Sequence, residues 1–180
     1  SKGNIWVGTD GDGLFKFDTT GNLTQFKHKP SDINSLSANR IVCINEDNEG
    51  NILLGSYTGG FITYNPTSKK FTRYAPGQSE RSVSSHHVWT IYRESARKVW
   101  LGLLGNGIDL YNPQENTFTN LGPYSSKSIS VNNVNINSIM KDKDGDIWFG
   151  TEGAGINYLK SNAQQMSYSL PPPNSDKLSE

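Results

Sequence analysis

Ile147-Trp148-Phe149-Gly150-Thr151 is one of four copies of a single phrase, the others being Ile5-Trp6-Val7-Gly8-Thr9, Ile52-Leu53-Leu54-Gly55-Ser56 and Val99-Trp100-Leu101-Gly102-Leu103. Successive copies lie 47, 47 and 48 residues apart. A period in this range means that one supersecondary unit has been copied, and that the copies must stack to bury their apolar faces. The residues around each anchor phrase say which unit it is. A second glycine follows five residues after the first (Gly13, Gly60, Gly107, Gly155), with an apolar residue directly after it (Leu14, Phe61, Ile108, Ile156). This predicts a strand, a tight turn and a second strand, because glycine accepts positive φ without a Cβ clash.

The second strand reaches Phe17, Tyr64, Tyr111 or Leu159, and Asn65-Pro66 and Asn112-Pro113 end it in two copies, since proline cannot donate to a ladder. A short third strand is expected at 23–26, 71–74, 118–121 and, more weakly, 166–169. Ahead of the anchors, residues 40–47, 87–94 and 135–142 align with one another as a further strand. Their apolar matches, Ile41/Val88/Ile136 and Ile44/Ile91/Ile139, are three apart instead of two, and predict a bulge or twist. With no helical periodicity, the chain reads as all-β. It is a β-propeller segment of about four four-stranded antiparallel blades with a period near 47 residues, the first blade incomplete.

The blades are expected at 1–29 (partial, lacking its opening strand), 36–75, 83–122 and 130–169, followed by a Pro-rich polar tail or linker at 170–180. Propellers close with about four to eight blades. An open segment exposes a blade face at each end, so self-association end to end is the expected response. Lysine plus arginine and aspartate plus glutamate number 17 each, which argues against a nucleic-acid partner. No run of about 18 apolar residues suggests membrane contact by this segment. Cys43 is the only cysteine and leaves the redox compartment open.

An inner strand ending in Asp, an Asp/Asn-Gly turn, I-W-x-G-T and a closing Y-N-P and F-T-x-Y together resemble the two-component regulator propeller repeat. The resemblance covers residues 3 to about 169; Leu53 for the anchor Trp, Leu103 for Thr and the degraded last strand depart from it. It implies the sensor region of a bacterial hybrid histidine kinase, especially one controlling polysaccharide use. It also implies a periplasmic or extracytoplasmic place within an inner-membrane protein, and downstream signalling domains of the parent chain as partners. Pro171-Pro172-Pro173 would suit a stiff exit towards such a domain.

Positions that differ between copies are freed from building the fold. At the turn after the anchor these are Asp10, Tyr57, Leu104 and Glu152; at the inner-strand entry they are Arg40, His87 and Asn135, with Val42, Trp89 and Asn137 two residues later. Aromatic rings that stack on sugar C–H faces, beside amides and charges that satisfy hydroxyls, are what a carbohydrate site uses. The candidate ligand-binding set is Arg40, Tyr57, His87, Trp89, Asn135, Asn137 and Glu152, with an oligosaccharide as the expected ligand.

Other motifs read as structure. Asp142-Lys143-Asp144-Gly145-Asp146 opens like a calcium loop, but Gly153 stands where the twelfth-position Glu belongs. Adjacent His86 and His87 point to opposite faces of a strand. Trp6, Trp100 and Trp148 read as blade-packing core, and Cys43, aligned with Thr90 and Ser138, as a packing choice. No catalytic residue, metal or cofactor is expected. A ligand-sensing module therefore leads, a protein-interaction or self-association scaffold follows, and a propeller lyase or glycosidase is the weakest reading.

Overall fold

The computed structural model describes residues 3–77, 79–127, 129–162 and 166–169; the expected tail at 170–180 lies outside them. The described residues form four antiparallel sheets, each a meander in chain order. The first has three strands, β1 (Ile5–Gly8), β2 (Leu14–Phe17) and β3 (Leu23–Phe26). The second has four: β4 (Ile41–Glu46), β5 (Ile52–Ser56), β6 (Phe61–Asn65) and β7 (Lys70–Tyr74). The third runs β8 (Val88–Arg93), β9 (Val99–Leu103), β10 (Ile108–Asn112) and β11 (Thr117–Asn120). The fourth runs β12 (Ile136–Lys141), β13 (Ile147–Thr151), β14 (Ile156–Leu159) and β15 (Ser167–Ser169). The inner strands β4, β8 and β12 pack side by side, and β1 packs beside β4. This is a propeller arc, with the repeat phrase on β1, β5, β9 and β13.

The odd spacing on the inner strands has a physical cause. Ile41 pairs with Ser56 and Cys43 with Gly55, so Val42 is an extra residue in the ladder. The same shift occurs between Val88 and Thr90 and between Ile136 and Ser138. A bulge adds one residue and inverts the alternation beyond it, so residues three apart, such as Ile41 and Ile44, come to share a face. The bulged residues are Val42, Trp89 and Asn137.

Each pair of neighbouring sheets encloses its own core. Between the first and second lie Leu14, Trp6 and Phe26 against Ile41, Ile52, Leu54, Ile62 and Tyr64. Between the second and third, Leu53, Phe61 and Tyr74 meet Val88, Val99, Leu101, Tyr111 and Phe118. Trp100, Ile108 and Leu121 meet Ile136, Ile147 and Phe149 in the last. Strand β5 feeds both neighbours, Ile52 and Leu54 one way and Leu53 the other, so all five of its residues are buried. The segments linking blades carry a matched apolar plug at Leu36, Val83 and Val131, each at most 1% exposed.

The two ends of the arc lack such cover. Ile5, Val7, Phe17 and Leu23 are 63%, 41%, 38% and 56% exposed, whereas their counterparts Ile52, Leu54, Tyr64 and Phe71 in the second blade are at most 7% exposed. At the other end Ile156 is 45% exposed, while Leu14, Phe61 and Ile108 in the same slot are fully buried.

The invariant anchor glycine marks where one blade's backbone touches the next. A Cβ at Gly8 would lie 2.7 Å from the carbonyl oxygen of Ile41, one at Gly55 would lie 2.5 Å from that of Val88, and one at Gly102 would lie 3.1 Å from that of Ile136. At Gly150 the crowding atom is only the hydroxyl of Ser138. Gly55→Ala is accordingly expected to cost about 2–3 kcal/mol, because the third blade must shift outward. Gly150→Ala should cost under about 1 kcal/mol, since a serine rotamer change relieves it. Urea unfolding of the two variants measures the difference.

Candidate functional site

One face of the arc is formed by the turn after each anchor strand together with the entry into the inner strands. Backbone hydrogen bonds stitch these together. Gly13 donates to the Asn39 carbonyl at 2.8 Å, Gly60 to that of His86 at 2.9 Å and Gly107 to that of Val134 at 2.7 Å, each crossing from one blade to the next. Within each blade, Tyr57 donates to the Arg40 carbonyl, Leu104 to that of His87 and Glu152 to that of Asn135. The turn glycines at 13, 60, 107 and 155 hold φ between 74° and 84° or just below, at 73° for Gly60, which lets the chain double back at this point. The side chains at positions 10, 40, 57, 87, 104, 135 and 152 are thus carried on a rigid backbone frame.

Four of the seven candidate residues come together across the first three blades. The Arg40 guanidinium pairs with Asp10 of the first blade and lies 4.9 Å from the ring centre of Tyr57. Tyr57 in turn lies 4.9 Å from the His87 ring and meets Trp89 edge-on at 6.4 Å. The His87 ring bonds the Tyr57 carbonyl through Nδ1. Trp89 sits on the bulge of β8, which lifts it from the ladder and leaves it 39% exposed. The result is a row of carboxylate, guanidinium, phenol, imidazole and indole. Its rings offer flat apolar faces and its rim offers donors and acceptors.

Asn135 and Glu152 form a separate pair in the fourth blade, with Asn135 Nδ2 donating to Glu152 Oε2 at 2.7 Å. The Asn135 carboxamide oxygen also accepts the Gly105 N–H at 2.9 Å, so much of its bonding capacity is used in closing the turn. Asn137 stands exposed on the bulge of β12. Leu104 interrupts the polar row between the two groups.

Sequence reading missed the groups that hold this face in place. Asp109 on β10 is fully buried and accepts from Ser84 N at 2.6 Å, Ser84 Oγ at 2.7 Å and Asn120 Nδ2 at 2.9 Å. It fixes the segment that delivers His87. Burial pushes its carboxyl above the usual carboxylate range, against the opposing pull of these hydrogen bonds. Asn157 fills the same slot in the fourth blade, accepting from the Asn132 N–H at 3.0 Å and donating to its side-chain oxygen at 2.7 Å. In the second blade Ile62 takes the slot. There Arg73 does the clamping, donating to the Ser35 carbonyl at 2.8 Å and the Asp32 carbonyl at 2.5 Å. The clue was the irregular polar residue inside an apolar strand position, Asp109 and Asn157 against Phe15 and Ile62.

The remaining motifs serve structure. Asp142 accepts Trp148 Nε1 at 2.6 Å and the N–H groups of Asp144 and Asp146 at 3.0 and 2.9 Å. The indole bond first, and then the backbone donors, hold its carboxyl below the usual range. Trp100 Nε1 finds Glu94 in the same way, at 2.9 Å. Burial pushes the Cys43 thiol up to about 12, which removes it as a nucleophile. On the opposite face a cleft of about 280 Å³ opens between the second and third blades, lined by Asn48, Asn65, Tyr74, Tyr111 and Gln114 among others.

The architecture is that of a β-propeller. The family described as two component regulator propeller matches residues 35–58 and 130–153, each stretch running from the apolar plug region through the inner and anchor strands to the turn. The family likeness thus falls on the inner and anchor strands of the second and fourth blades. No curated protein matches the chain significantly. Among solved structures, the chain resembles the extracellular domain of a hybrid two component system from B. thetaiotaomicron, with TM-score 0.75 and 20% identity over 94% of this chain and 22% of that one. A second such domain from the same organism gives 0.74 and 20% over 93% and 24%. Virginiamycin B lyase from Staphylococcus aureus gives 0.68 and 16% over 96% and 54%. These likenesses establish the propeller fold; the chain spans about a quarter or less of the length of the two extracellular domains.

A group whose folded pKa is raised binds its proton more tightly in the native state. Stability therefore falls as pH rises from the ordinary carboxylate value through the raised one. Asp109→Asn is expected to flatten that fall, seen as a urea midpoint that no longer declines from about pH 4 upward. Asp109→Ala should cost about 1–3 kcal/mol near pH 4, because it strands the Ser84 N–H and hydroxyl, and less as pH rises through the raised value.

Proposed function

We propose that this chain is part of the extracytoplasmic sensor region of a bacterial hybrid two-component protein, and that the row on its turn face contacts a glycan-derived ligand. The observation that carries the reading is the joining of Arg40, Tyr57, His87 and Trp89, all at positions that vary between repeats, into one aromatic and cationic surface. The regulator propeller repeats supply the signalling context. In it, ligand contact would bias the packing of neighbouring blades, and domains of the parent chain, a histidine kinase in the inner membrane, would read the change. The exposed indole suits stacking on a pyranose face, and Asp10, Arg40 and His87 suit its hydroxyls. A panel of oligosaccharides titrated against intrinsic tryptophan fluorescence tests this. Binding of one class is expected, with Trp89→Ala weakening it about tenfold or more. No response across the panel removes the glycan assignment.

A second reading, a self-associating scaffold, draws on the exposed apolar end faces at Ile5, Val7 and Leu23 and at Met140 and Ile156. Ring closure by end-to-end stacking of copies predicts a light-scattering mass above the 19.9 kDa of one chain, with Val7→Glu returning it to monomer. A strictly monomeric mass at high concentration excludes this reading and leaves the sensor reading untouched.

A further inference from the structure

Two lysines break the repeat in a way that building a blade does not explain. The residue ahead of the anchor strand is Asn4, Asn51, Lys98 or Asp146, and the residue closing the second strand is Asp18, Asn65, Asn112 or Lys160. Most of these Asn and Asp side chains accept hydrogen bonds that hold the neighbouring turns. Asn65 Oδ1 accepts the Thr67 and Ser68 N–H groups at 3.0 and 2.8 Å, Asn112 Oδ1 that of Gln114 at 3.1 Å, and Asp18 Oδ1 those of Thr20 and Asn22 at 2.9 Å. Asn51 Oδ1 accepts Asn65 Nδ2 at 2.7 Å, and Asp146 Oδ1 accepts the Ser161 N–H at 2.9 Å. An ammonium accepts no hydrogen bond, so Lys98 and Lys160 give up this role. A local rule broken with no structural gain marks a position kept for function.

The two lysines belong to different blades, yet they line one cleft. It has a volume of about 310 Å³, within the range of small-molecule sites, and lies between the third and fourth blades. It is the counterpart of the cleft between the second and third blades, with Leu110 and Leu121 standing where Thr63 and Tyr74 line the other. Together with Trp100, Ile147 and Leu159 these leucines make an apolar floor. The rim holds Lys98, Lys141 and Lys160 against one carboxylate, Glu94. That carboxylate already accepts the Trp100 indole at 2.9 Å and lies 3.8 Å from Lys141 Nζ. Among the described residues, neither Lys98 nor Lys160 has an ion-pair partner. The other cleft has the reverse polarity, being lined by Asp47 and Glu49 and by no lysine or arginine.

We propose that the cleft between the third and fourth blades binds an amphipathic organic anion, a carboxylate carried on an apolar body. The body lies against the indole and the leucines, where burial of apolar surface supplies affinity. The carboxylate lies between Lys98 and Lys160, whose charges select the sign of the ligand. This site is separate from the row on the turn face and does not rest on the glycan reading.

Phenylpropionate and octanoate are the probes, titrated into the whole chain labelled with ¹⁵N and followed by calorimetry and amide spectra. Saturable binding of at least one is expected, with the largest shifts at Gly145 and Ser161, which line the cleft. The matched alcohols, phenylpropanol and octanol, should bind about tenfold more weakly, as two partly exposed ion pairs imply. Lys98→Asn combined with Lys160→Asn restores the residues of the second blade at both positions. That variant should fold at least as well and lose about tenfold in affinity, whereas Lys98→Arg with Lys160→Arg keeps it. Binding by neither anion overturns the proposal, as does equal binding by the matched alcohol or undiminished binding by the asparagine variant. Shifts confined to Tyr57 and Trp89 place the anion on the turn face beside Arg40 and overturn it as well.

Discussion

The structure depends on one close approach. The anchor glycine of each of the first three blades lies under the first carbonyl of the next blade's inner strand, in surroundings that leave no room for a methyl group. That contact sets how near two sheets can come, and so whether the side chains between them interlock or leave voids. It also sets where the inner strands stand in a row. The three apolar cores follow from it, since Leu53, Phe61 and Tyr74 can reach Val88 and Leu101 only at that spacing. Cross-blade hydrogen bonds from Gly13, Gly60 and Gly107 then hold the turn face at the same distance.

Much of this was legible because it repeats. The anchor phrase, the paired glycines and the Asn-Pro stops gave the hairpins and their order, and the three-residue spacing on the inner strands gave the bulge. What repetition hides is chemistry used once. Asp109, Arg73 and the Asn132–Asn157 pair perform one task, tying down the segment before an inner strand, with three different sets of atoms. No alignment of the blades reveals a role shared without a shared residue. The plug residues Leu36, Val83 and Val131 are the opposite case. They keep the period, yet lie in segments whose polar surroundings read as loop.

The candidate site was legible in part, for a related reason. Positions that vary between blades lie on the turn face, but variation alone does not say which of them meet. Arg40, Tyr57, His87 and Trp89 meet because entry residues and turn residues of adjacent blades alternate along the rim, a fact of sheet packing. Asn135 and Glu152 sit on the same rim, but bond each other, one leucine away from the row. Trp89 reaches the surface because the bulge displaces it. Without that extra residue the ladder would carry the ring elsewhere.

Each blade presents two unlike surfaces. One carries the anchor tryptophan or leucine at positions 6, 53 and 100; the other carries the aliphatic pair flanking it, such as Ile52 and Leu54. Every join pairs the first kind with the second, and neighbours alone touch. The stack therefore has a direction, like a polymer assembled head to tail, and its grammar is indifferent to its length. Duplication or loss of one whole repeat would leave a first-kind surface facing a second-kind surface at the new junction. A lineage carrying such a gene can change the size of the assembly in single steps of 47 or 48 residues. Only the residues on the turn face, which the stacking rule does not constrain, would then need to be reshaped.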